Sequence, residues 1–136
     1  MNEAPELIGT VRQWIEMAEH DLRNAEHTLT LGEGCPFDTV CFHAQQCVEK
    51  YLKALLVLHS TDFPRTHDLR VIMQLVSSCV DLGLPISEIV ALNRYAVETR
   101  YPGHWEPITR SEAEEAVVQA RKVRSAVRVH LPTEAT

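Results

Sequence analysis

Apolar residues recur along the chain at alternating three- and four-residue steps, the period of a helix that turns one face to a core. Ile8, Val11, Ile15, Ala18, Leu22, Ala25 and Leu29 are spaced 3, 4, 3, 4, 3, 4 and predict a long amphipathic helix over residues 7–31. Trp14 borders this seam. The opposite side carries Glu16, Glu19, Arg23 and Glu26, with Glu19 and Arg23 spaced for an i to i+4 pair. Gly32, Gly34 and Pro36 then turn the chain, and Gly32 suits the left-handed position after the last helical turn. A second helix over 38–59 is different in kind. Cys41, Ala44, Val48, Leu52, Leu55 and Leu58 form its stripe, and Val40, Cys47, Ala54 and Leu56 widen it until most of the circumference is apolar. Its polar residues His43, Gln46, Lys50 and Lys53 also fall three or four apart, flanked by Gln45 and Glu49. This narrow line faces either solvent or a partner or anionic ligand.

Pro64 biases its predecessor away from helix, so residues 60–65 read as a loop. Thr66 is the expected N-cap of a third helix, with His67 in its first turn, Leu69, Ile72, Leu75, Val76, Cys79 and Leu82 on its apolar face, and Gly83 at its end. A fourth, shorter helix starts near Pro85 or Ser87 and carries Ile89, Leu92 and Ala96 toward Arg100, before Pro102-Gly103. The last helix has capping-box spacing at Thr109 and Glu112 and staple spacing at Ile108 and Ala113. Its seam runs through Ala113, Ala116, Val117, Ala120, Val123, Val127 and Leu131. Arg121, Arg124 and Arg128 share one of its faces, as complements to the helix dipole or as a patch for an acidic partner. The pattern predicts an all-α fold: an antiparallel up-and-down bundle of four main helices plus one short one, with the second helix clasped by the others.

Composition narrows this picture. A chain of 136 residues with no repeat or linker reads as a single domain, 1–136 with a core over about 8–131. A net charge of −6 argues against broad wrapping of nucleic acid but leaves room for a small basic site. Cys35, Cys41, Cys47 and Cys79 form no Cys-x-x-Cys pair, and Cys41 and Cys47 lie on different faces of one helix. They read as core residues, so neither a metal site nor a cofactor is expected. No apolar run reaches the roughly 18 residues of a membrane span, and a cytoplasmic protein with reduced thiols is expected.

Side chains with chemistry gather at helix ends: Arg65, Thr66 and His67 before the third helix, and Arg94, Tyr95, Arg100, Tyr101 and His104 around the end of the fourth. An open helix N-terminus offers N–H groups to an anion, and Arg65, Thr66 and His67 would add donors. The order Ala18-Glu19-His20-Asp21-Leu22, then Ala44-Gln45-Gln46-Cys47-Val48-Glu49-Lys50, then Thr66-His67-Asp68-Leu69, then Tyr95 through Arg100-Tyr101-Pro102 resembles the HEPN domain family (higher eukaryotes and prokaryotes nucleotide-binding) over about residues 8–131.

The resemblance implies a bundle of four or five helices, commonly a homodimer, that partners a minimal nucleotidyltransferase encoded nearby, as in toxin-antitoxin-like pairs. Many family members are metal-independent endoribonucleases with an Arg, four to six residues, then His motif, the histidine acting on the ribose 2′-OH and the arginine holding phosphate. In this chain Arg100 and His104 have three residues between them and Pro102-Gly103 interrupts the segment, a departure from that motif. The leading expectation is a bundle that dimerises and binds a nucleotide, or a nucleotidyltransferase partner, through His43, Gln46, Lys50, Lys53, Thr66, His67, Tyr95, Arg100 and Tyr101. The alternatives are a ribonuclease using Arg100 and His104 on RNA, and a helical dimer with a purely structural role.

Overall fold

A computed structural model describes residues 5–96 and 107–136. The order is α1 (Pro5–Leu29), α2 (Phe37–Leu58), α3 (Leu69–Ser77), α4 (Ile86–Val90) running into a 3-10 turn (Ala91–Tyr95), and α5 (Arg110–Arg128), followed by a 3-10 turn at Thr133–Ala135. Among the described residues there is no strand. The bundle rests on three long helices, because α3 and α4 are each shorter than their apolar spacing predicts.

α2 is the core. Val40, Cys41, Ala44, Cys47, Val48, Tyr51, Leu52, Ala54, Leu55 and Leu56 are all fully buried, as expected of a helix apolar on most of its surface. α1 packs on one flank through Val11, Ala18 and Ala25, and α5 on another through Ala113, Ala120 and Val123, each with no exposed area. α1 runs antiparallel to both neighbours: Trp14 and Asp21 meet Lys53 and His43 of α2, while Glu19 and Glu26 meet Arg124 and Arg121 of α5.

The ends of the helices correct the sequence reading in three places. Gly34, at φ 84°, takes the left-handed position expected of Gly32, whose carbonyl instead accepts from Cys35 N–H at 3.1 Å. The N-cap of α3 is Asp68 and not Thr66: the Asp68 carboxylate accepts from Arg70 N–H, and the Thr66 hydroxyl accepts from Asp68 N–H. His67 therefore precedes the helix. α3 closes at Ser77 because the following residues wind into turns, with Ser78 Oγ donating to the Leu75 carbonyl. Gly83, at φ 69°, belongs to a separate turn in which Asp81 accepts its N–H.

The capping box of α5 forms as read. Thr109 Oγ1 accepts from Glu112 N–H at 3.1 Å, and Glu112 Oε2 accepts from Thr109 N–H at 3.3 Å. Thr109→Ala is expected to lower stability by about 1 kcal/mol in denaturant unfolding, the usual loss for an N-cap hydroxyl. No helix among the described residues is long and apolar enough to cross a membrane.

Candidate functional site

The polar line of α2 is pinned by two buried carboxylates. Asp21 of α1, its side chain 10% exposed, accepts from His43 Nδ1 at 2.7 Å and from Lys50 Nζ at 2.5 Å. Glu49, 3% exposed, accepts from Lys53 Nζ at 3.0 Å, from Gln45 Nε2 at 3.2 Å and from His67 Nδ1 at 3.0 Å. Gln46 completes the chain by donating to Gln45 Oε1 at 2.7 Å. Ionised carboxylates only accept, so Nδ1 of each imidazole carries the proton. For His43 this leaves Nε2 as the acceptor on a half-buried ring that lies edge-on to exposed Phe42. The His67 side chain is 54% exposed.

Lys53 is buried despite its charge. Its ammonium meets Glu49, donates to the Thr66 carbonyl at 3.0 Å, and lies 5.7 and 5.6 Å from the ring centroids of Trp14 and Phe63. That arrangement satisfies the charge and ties the loop before α3 to the core. His43, Gln46, Lys50, Thr66 and His67 thus present partly exposed polar groups, with Lys53 buried beneath them. The start of α3 is occupied from within: Leu69 N–H donates to Asn93 Oδ1 at 2.8 Å, and Asn93 Nδ2 donates to Asp68 Oδ1 at 2.8 Å. Asp68 is held below the usual carboxylate range, first by the Arg70 N–H and then by Asn93. An anion at this helix start would meet that carboxylate, so the cradle expected there from Arg65, Thr66 and His67 is already filled.

Tyr95 lies elsewhere, buried at the end of the 3-10 turn beneath the Arg94 guanidinium, which lies 5.3 Å from its ring centroid. Burial pushes its phenol up to about 12. With Arg94, Leu92 and Glu88 it faces Glu112, Glu115 and Gln119 of α5 across a cleft of about 470 Å³. Arg100, Tyr101 and His104 lie outside the described residues. Among the described residues no three His, Cys, Asp or Glu side chains gather as metal ligands.

A second polar network, on the other flank of α1, escaped the sequence reading. Glu19 does not pair with Arg23. It accepts from Arg124 Nε and Nη2 at 2.8 and 3.0 Å and from the Tyr51 hydroxyl at 2.7 Å, while Arg128 donates to the same hydroxyl at 3.2 Å. Arg121 pairs with Glu26 at 2.6 Å. For Arg121 and Arg124, two of the three arginines that share a face of α5, the acidic partner is therefore α1 itself. The one signal in the sequence was Tyr51, a hydroxyl on an otherwise apolar face.

Partial burial would raise Glu19, but the bonds from Arg124 and Tyr51 and the charges of Arg124 and Arg128 outweigh it and hold the carboxyl below its ordinary 4.5. A depressed carboxylate stabilises the fold above its unfolded pKa and loses that contribution as pH falls through the folded value. Glu19→Gln is accordingly expected to lower the urea midpoint at pH 7, with the two midpoints converging below about pH 4.5.

The family model for the HEPN domain matches residues 11–130. Among solved structures, TT1696 from Thermus thermophilus is 33% identical, with a TM-score of 0.71 over 89% of this chain and 98% of that one. ST0689, described as an archaeal HEPN homologue, is 26% identical, with a TM-score of 0.66 over 88% of this chain and 96% of that one. No curated protein matches the chain.

Proposed function

Because the chain belongs to the HEPN domain family, we propose that it is a binding module: a helical dimer that engages a nucleotide or a small nucleotidyltransferase partner through the polar face of α2, as one half of a toxin-antitoxin-like pair. The observation that carries this reading is the pair of imidazoles, His43 and His67, each held at Nδ1 by a buried carboxylate on a partly exposed surface. Two carboxylates beneath two lysines leave the face without net charge when the histidines are neutral. Such a surface recognises by hydrogen bonding and shape rather than by attraction of phosphate. Rings fixed from below also lose little freedom on binding, which favours affinity.

The test is coexpression of the tagged chain with the product of its neighbouring gene, reading mass and nucleic-acid absorbance on one size-exclusion peak. A peak containing a small nucleotidyltransferase supports the reading. A lone particle with no bound nucleotide, together with cleavage of RNA by the purified chain, would replace it with the ribonuclease alternative.

A further inference from the structure

The flank of α1 opposite the α2 polar face carries a hollow of about 320 Å³, bounded by α1, the end of α5 and the last 3-10 turn. Glu19 and Asp21 are two residues apart, about 200° around the helix, so the two surfaces are distinct. Three guanidiniums reach this hollow, Arg12, Arg23 and Arg128. Arg12 donates to the Glu134 carbonyl. Arg128 donates to the Tyr51 phenol, and exposed Arg23 has no hydrogen-bond or ion-pair partner among the described residues. None of the three hydrogen bonds to a carboxylate.

Of the two acidic side chains lining the hollow, Glu19 is already engaged by Arg124 in a two-point bond, leaving exposed Glu16 as the other side-chain carboxylate there. In a chain of net charge −6, this is a concentration of positive charge in a concave site. Arginine forks match phosphate oxygens in pairs, and a concave wall strengthens their field. The volume sits near the lower end of small-ligand pockets, roughly 300 Å³ upward.

We propose that this hollow is a binding site for a compact phosphate-bearing anion, gripped by Arg23 and Arg128 with Arg12 at its edge. The site stands apart from the partner reading and does not depend on it. Binding of inorganic tripolyphosphate and of ATP to the whole chain, followed by calorimetry at low salt, tests it. Both ligands are expected to bind and to compete, and ATP binding more tightly than tripolyphosphate would mark a nucleotide as the source of the phosphate.

Arg23→Ala and Arg128→Ala are each expected to weaken binding about tenfold or more, the loss of roughly one charge-assisted contact. Arg23→Ala should leave the unfolding midpoint unchanged, Glu16→Gln should tighten binding, and Arg70→Ala, an exposed cation on α3 outside the hollow, should leave tripolyphosphate binding alone. Absence of binding at millimolar ligand, insensitivity to Arg23→Ala, or loss of tripolyphosphate binding in Arg70→Ala would overturn the assignment. So would binding of a short RNA that tripolyphosphate does not displace.

Discussion

Glu49→Ala is expected to lower stability by about 3–5 kcal/mol, the range for removing one member of a buried ion pair. The Glu49 carboxylate is 3% exposed and meets Lys53, whose side chain is 8% exposed, so its loss leaves an ammonium in the interior with only the Thr66 carbonyl and two aromatic faces. Gln45, fully buried, loses its acceptor at the same time. Chemical unfolding of Glu49→Ala beside the double variant Glu49→Leu with Lys53→Met separates the two causes. The double variant should recover most of the loss, since an apolar pair of similar volume replaces the ion pair without stranding a charge. Equal destabilisation of both would mean that the pair matters for shape and not for charge.

Leu52→Ala follows at about 2–5 kcal/mol, the range for truncating a buried leucine. Leu52 is fully buried in the middle of the central helix, and few adjustments of the flanking helices could fill the space it leaves. The loss should appear as a lower denaturant midpoint with little change in slope. Val129, 81% exposed near the end of the chain, supplies the contrast: Val129→Ala should shift stability by less than about 0.5 kcal/mol.

The apolar period of α1, α2 and α5 made the bundle legible, because one stripe per helix and a nearly all-apolar centre permit few other arrangements. The α5 capping box was legible for a similar reason, as its chemistry is local to Thr109 and Glu112. The short elements were less so. The spacing from Leu69 to Leu82 fits a helix, but Ser78 and Asp81 bond to nearby backbone and break it into turns. Thr66 and Asp68 both have capping chemistry; Asp68 is the cap because its carboxylate accepts from Arg70 N–H, and Asn93, 25 residues further on, holds that carboxylate in place.

In the candidate site, the polar line of α2 was visible as a line, whereas what lies beneath it was not. Asp21 looks like any acid on an amphipathic helix until the antiparallel packing of α1 places it between His43 and Lys50. Glu49 was visible as a flank of the line, and in the fold it holds Lys53 and His67. Pairings between residues far apart in the chain, such as Glu19 with Arg124, depend on which helices become neighbours and leave no mark in local spacing.

Whether the α2 face recognises a partner is tested most directly by the mass of the coexpressed complex for the wild-type chain and for the double variant His43→Ala with His67→Ala, with unfolding midpoints measured alongside. The wild type is expected to elute with a nucleotidyltransferase-sized partner, and the double variant to elute without it while remaining folded. A folded double variant that still carries the partner would contradict a recognition role for the two histidines.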